Sequence, residues 1–135
     1  MIVVSPSVDL DAVAPFLDGP HRAVLATLNP DGSPHVVVVD YLVQEGALLL
    51  NGRSGRRWVS NLRRDSRATA LVQDQRDVDH WVSIAGSAVL VREGNEASVE
   101  DARVMARRYG DDTEQFNGQH RVSWHLAADR VVERT

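Results

Sequence analysis

The stretch Ala23-Val24-Leu25-Ala26-Thr27-Leu28-Asn29-Pro30-Asp31-Gly32-Ser33-Pro34-His35-Val36-Val37-Val38-Val39 decides how the chain folds. An apolar run is followed by Asn-Pro-Asp-Gly, a turn signal in which proline pre-sets φ and glycine accepts φ > 0. Residues 36–39 are then four β-branched residues in a row, which favour a strand. Two strands joined by so short a turn must pair antiparallel.

Outward from this hairpin the same alternation continues. Gln44-Glu45-Gly46 turns into an apolar run at 47–50, and further strands are expected at 68–73, 81–91 and 122–132. Gly86 lies inside the fifth of these and predicts a bulge or bend. Helices are expected at 7–17, in the segment after Ser54, and from Ser98 to Tyr109 with Gly110 as its stop. Ser7 or Asp9 would cap the first, which Pro15 kinks or splits. Residues 74–80 and 111–119 read as polar loops. The sum is mainly β: six antiparallel strands in a closed or nearly closed barrel, with a few short helices. No βαβ rhythm, linker or internal repeat interrupts it, so residues 1–135 form one domain.

Composition narrows function. The chain is 43% apolar and 25% charged, with a net charge of −4, five histidines and no cysteine. All fifteen basic residues are arginine. The missing lysine excludes a Schiff base, and the missing cysteine excludes thiolate chemistry and disulfides. A soluble cytoplasmic protein is the default expectation, with no membrane partner and, given its acidity, no nucleic-acid partner. No histidine pair has metal-ligand spacing. Asp77, Asp79 and His80 read as a solvated loop, so no metal is expected.

Against that acidic background, residues 53–67 hold six arginines and one acid, a local charge of +5. The segment Asn51-Gly52-Arg53-Ser54-Gly55-Arg56-Arg57-Trp58-Val59-Ser60-Asn61-Leu62 runs from a strand through a glycine-containing turn, capped at Ser54, into a helix. Backbone N–H groups at such a helix start attract anions, whereas Arg56 and Arg57 there oppose the helix dipole unless an anion is bound. The segment is either a phosphate or carboxylate site or an arginine-rich helix whose charges are merely solvated. His35 either orients a ligand from a strand end or is a half-buried strand residue. Trp58 and Trp81 either cover an aromatic cofactor or pack in the core.

Three segments resemble one family. The hairpin from His21 to Val36, the run from Arg56 to Ala68, and Trp81-Val82-Ser83-Ile84-Ala85-Gly86-Ser87-Ala88 are together similar, in order and spacing, to the pyridoxamine-phosphate-oxidase-like split-barrel flavoproteins. The chain looks most like their deazaflavin-dependent (F420) reductase branch. The resemblance implies a six-stranded split β-barrel and a homodimer with two cofactor sites at its interface. It places His35, Val37 and Val39 along the cofactor ring, and Asn51, Gly52, Arg53 and Ser54 at its side chain. The family's phosphate-gripping Arg-Lys pair falls on Arg57 and Trp58, so one lysine is replaced and Arg53 and Arg56 stand in for its charge. Asn61 and Trp81 complete the expected site.

The family's C-terminal substrate-binding segment has no counterpart after Val122, which points away from pyridoxamine phosphate oxidation itself. The implied activity is hydride transfer from reduced F420 to a conjugated small molecule such as a quinone, enone or biliverdin-like acceptor, with no dedicated catalytic acid–base pair. FMN-dependent oxidoreductase and a non-catalytic flavin, deazaflavin or haem binder are the alternatives.

Overall fold

The computed structural model describes residues 2–4 and 9–135. Its strands are β1 (Ile2–Val4), β2 (Ala23–Leu28), β3 (Pro34–Val39), β4 (Leu42–Gln44), β5 (Ala47–Arg53), β6 (Arg67–Gln73), β7 (Trp81–Glu93) and β8 (Arg121–Arg134). Its α-helices are α1 (Ala14–Leu17), α2 (Arg57–Arg64) and α3 (Glu96–Tyr109). Short 3₁₀ turns occupy Leu10–Val13 and Glu114–Phe116. All strand pairs are antiparallel, in the order β3-β2-β6-β7-β8-β5-β4, with β1 also on β8. Among the described residues there are thus eight strands where six are expected. The two additions, β1 and β4, have three residues each, too few for an alternation to show in sequence.

The expected hairpin is present. Ala23 to Leu28 pair with Val39 to Pro34 in unbroken register, and Gly32 takes φ 86° in the turn. The Glu45-Gly46 turn between β4 and β5 has positive φ at both residues (52° and 75°), the geometry that suits the twist of a two-residue hairpin. The two ends of the sheet, β3 and β4, are consecutive in the chain but do not pair with each other, and this gap is the split of the barrel. Tyr41 sits in the connection between them, fully buried, its hydroxyl donating to the Leu17 carbonyl at 2.8 Å. Burial pushes that phenol up to about 12.

Register shifts in β7 between Ala85 and Gly86 against β8, as expected. A Cβ at Gly86 would collide with the Ala127 carbonyl, so the bulge needs glycine there. Pro15 splits the first helical segment: a 3₁₀ turn capped by Asp9 precedes α1, where proline occupies the first turn. The alternative cap, Ser7, lies outside the described residues. For α3 the cap is Asn95, not Ser98. The Asn95 side chain accepts from Ser98 N–H at 2.9 Å, and Ser98 Oγ returns the bond to Asn95 N–H at 3.2 Å. Gly110 ends α3 at φ 72°.

The barrel interior holds Leu25, Leu48, Leu50, Val72, Ile84 and Leu126, all fully buried. α2 closes one end by adding Trp58, Val59 and Leu62 to that core. Each such side chain contributes roughly 1.5–3 kcal/mol. Asn61, 2% exposed, fastens the helix to β2 by donating to Thr27 Oγ1 at 3.0 Å and Asn29 Oδ1 at 3.1 Å. α3 lies against β5, β7 and β8. No described helix is long and apolar enough to cross a membrane.

Candidate functional site

β5 ends in Asn51-Gly52-Arg53, and the chain then turns sharply. The Arg56 N–H donates to the Arg53 carbonyl at 3.2 Å, with Gly55 at φ 96° in the third position, where a side chain would be strained. The helix cap is Arg56, not Ser54, and no side chain caps α2. Ser54 is engaged otherwise, its N–H donating to the His120 carbonyl at 2.9 Å. The first-turn N–H groups of α2 therefore have no side-chain acceptor.

Gly52 is needed for a close approach. A Cβ there would collide with the Trp58 ring, which packs against this point of β5. Trp58 is 5% exposed and belongs to the core, and one edge of it forms the floor of a cleft. Its first role is core packing.

That cleft, of about 210 Å³, gathers residues from distant parts of the chain. β3 and its end supply Val38, Val39 and Asp40, and β5 supplies Asn51, Gly52 and Arg53. Arg56 and Trp58 come from the start of α2, Ala102 and Met105 from α3, and Phe116 and Arg121 from beyond it. The lining combines apolar side chains with three guanidinium groups.

The electrostatics separate the arginines into two sets. Arg63 is bidentate to Glu93 at 3.0 and 2.6 Å, Arg67 pairs with Asp65 at 2.7 Å, and Arg64 donates to the Leu28 carbonyl. These three are engaged locally. Arg53, Arg56 and Arg121 have no acid within 4 Å among the described residues. The one acid of the cleft, Asp40, is paired with Arg22 at 2.8 Å. Arg121 Nε donates to Asn51 Oδ1 at 2.9 Å and Nη1 to Gln119 Oε1 at 2.9 Å, while Phe116 lies under the guanidinium at 4.8 Å. Burial, then the positive charges of Arg56 and Arg53, bring its pKa down to about 10. A group held charged against that penalty is typical of functional sites.

Of the twelve residues expected at the site, the structure brings Val39, Asn51, Gly52, Arg53, Arg56 and Trp58 together at this cleft. Ser54 and Arg57 are exposed beside it, Arg57 at the first position of α2. His35 is half-buried and pairs with Thr27 across β2–β3, and Val37 packs on the core. Asn61 is buried at the α2–β2 contact described above. Trp81 lies elsewhere, lining a groove with Leu71 and Val78. Arg121 and Met105 belong to the cleft without having been expected there. Arg121 begins the last strand, and only the pairing of Arg53 with Arg121 across β5–β8 brings it alongside. Met105 follows the helical spacing of Ala102 and Ala106 and was open to the same reading of α3.

Val38 stands at the cleft's rim and is 63% exposed; Val36, two residues before, is 59% exposed. Val24 and Leu71 continue this outer face in register with Val38. β3 is a sheet edge, so an apolar strip runs along an unpaired strand at the mouth of the site.

Set beside known proteins, the sequence matches the profile of a family described as pyridoxamine 5′-phosphate oxidase over residues 10–134. No curated protein matches it. Among solved structures, a conserved hypothetical protein from Mycobacterium tuberculosis is similar at TM-score 0.75 and 28% identity, over 91% of this chain and 82% of that one. An F420 reductase is similar at TM-score 0.76 and 17% identity, over 86% and 92%. A haem storage protein from Vibrio cholerae is similar at TM-score 0.67 and 15% identity, over 90% and 92%. At these lower identities the last two share the fold.

Proposed function

For a chain that belongs to the pyridoxamine 5′-phosphate oxidase family, we infer an F420-dependent reductase that works as a homodimer and delivers a hydride to a conjugated small molecule such as a quinone, enone or biliverdin-like acceptor. The observation that carries this reading is the gathering of Arg53, Arg56 and Arg121, none with an ion-pair partner among the described residues, in one cleft with apolar side chains. Three unpaired guanidiniums suit a cofactor with more than one anionic group, such as the phosphodiester and glutamyl carboxylates of F420, better than the single phosphate of FMN. Val38, Val39 and Met105 offer the flat apolar surface that a ring system needs.

Bound there, F420 would supply the hydride, and the protein's share is orientation and charge. Arg53, Arg56 and Arg121 hold the anionic tail, and Trp58 on Gly52 makes a rigid floor. Val39 and Met105 keep water from the ring side. None of the five histidines lines this cleft, which favours a flavin-like ligand over a haem needing an axial imidazole.

The dimer rests on two features. A cleft of about 210 Å³ is smaller than the roughly 300–1,000 Å³ usual for a cofactor site. The bare valines of β3 border it, so a second copy seated on that strip would both cover apolar surface and complete the cleft.

Calorimetric titration with F420 and with FMN tests the reading, together with light scattering. Tighter F420 binding is expected, weakening with salt, by a particle of twice the chain mass. Arg121→Ala should cost on the order of tenfold to hundredfold in affinity. Arg57→Ala in the same titration shows whether the exposed arginine of α2 shares the grip. Stoichiometric FMN that F420 cannot displace, or a monomer that binds cofactor fully, would overturn the proposal.

A further inference from the structure

Arg121 has no acid beside it, yet it is tied to one at a distance. Its Nε–H donates to Asn51 Oδ1. The Asn51 amide can point only one way, because its Nδ2 donates to the Ser98 carbonyl at 2.8 Å and to Ser123 Oγ at 2.9 Å. Ser123 is fully buried, and its hydroxyl donates to Asp101 Oδ2 at 2.6 Å. All three bonds run in one direction, from guanidinium to carboxylate, so each polarises the next. Arg92 Nε donates to the same Asp101 Oδ2 at 2.6 Å, and Arg92 is itself held by Gln44 at 2.8 Å.

We propose that Asp101 and Ser123 are positioning residues for the anion site: through Asn51 they form a relayed ion pair that orients Arg121 while leaving its outer N–H groups to a ligand. The inference rests on the reading of the cleft as an anionic-cofactor site. Its logic is competition. A carboxylate placed directly on Arg121 would orient it equally well but would contend with the ligand's anion for the same donors. With no counter-charge, a half-buried guanidinium beside Arg53 and Arg56 would gain by turning out to water. Two neutral links supply orientation without neutralising the cleft. Gln119 and Phe116 complete the cradle with neutral groups, and Nη2 has no partner among the described residues.

The geometry is testable before any cofactor is added. In the ligand-free protein, proton exchange at the Arg121 Nε–H is followed by NMR in the native chain, in Ser123→Ala, in Asp101→Asn and in the double variant. The native Nε–H should be protected, and each single variant should exchange about tenfold faster. The double variant should be no faster than the singles, because both remove the same chain. F420 affinity should fall in step, by about fivefold to tenfold. Unchanged exchange in Ser123→Ala overturns the relay. So do losses that simply add in the double variant, since these would mean separate packing effects, with Asp101 serving Arg92 alone. If Ser123→Ala does not fold, Asp101→Asn combined with Arg92→Gln removes the charge without orphaning Arg92, and the same exchange measurement decides. Should native protein fail to bind F420, the cofactor reading falls while the exchange data still judge the relay.

Discussion

Replacing Arg121 by methionine should leave the ligand-free protein about as stable as native protein while weakening its grip on anions. The guanidinium is half-buried and faces Arg53 and Arg56, which brings its pKa down to about 10 against an ordinary value of roughly 12.5. Screened by the water that reaches a half-exposed group, such a displacement is an unfavourable folding contribution on the order of 1–2 kcal/mol while the group is charged. The sign follows from linkage. A base whose folded pKa is lowered carries the full penalty below about pH 10 and sheds it only as the pH rises beyond, so the cost is complete at neutrality. Methionine forfeits the bonds to Asn51 and Gln119, about 1 kcal/mol each. The two contributions nearly cancel, so the variant should melt within a few degrees of native protein. The assay is thermal unfolding at pH 7 in a buffer free of phosphate, repeated with pyrophosphate or F420. Native protein should gain more stability than the variant at the same anion concentration. A variant that melts well below native protein without anions would show Arg121 to be a structural residue and would refute the argument.

Two other perturbations test neighbouring parts of the structure. Gly52→Ala should displace the Trp58 ring and cost roughly 1–3 kcal/mol, read in denaturant unfolding and in a shifted tryptophan emission; native emission with native stability would remove the packing claim. Glu93 is held down to about 2, first by Arg63 and then by His120. It therefore adds stability above the ordinary carboxylate range that fades as pH falls towards 2. Glu93→Gln should melt earlier than native protein at pH 7, with the gap closing by pH 2; a gap constant with pH would contradict the assignment.

The fold was legible where a local rule and the global pattern agree. Asn29-Pro30-Asp31-Gly32 needs no tertiary context to turn, and the hairpin around it has its expected register. Gly86 announced its bulge because a glycine inside a strand pattern has few other uses. Pro15 split its helix for an equally local reason. What could not be read are the three-residue strands β1 and β4, whose existence depends on the neighbours they pair with. The cap of α3 moved three residues because Asn95 and Ser98 share one reciprocal box, of which only the serine had been noticed.

The site was legible by half, and the missing half shows what charge counting omits. Six arginines in one segment suggested a strong positive site, but Arg63, Arg64 and Arg67 spend their charge or donors on Glu93, the Leu28 carbonyl and Asp65. Glu93 and the Leu28 carbonyl lie far along the chain and Asp65 two residues from Arg67, so a local sum does not show which arginines the fold has already engaged. The compensating arginine, Arg121, lies far along the sequence in an unremarkable neighbourhood. It becomes part of the site because β8 pairs with β5 at Arg53, and it stays charged there although burial and two like charges oppose it. A packed protein sheds such a cost by neutralising the group or turning it outward, unless something is gained by keeping it. That retained cost, more than the arginine-rich segment, is what supports the proposal of an anion site at the cleft.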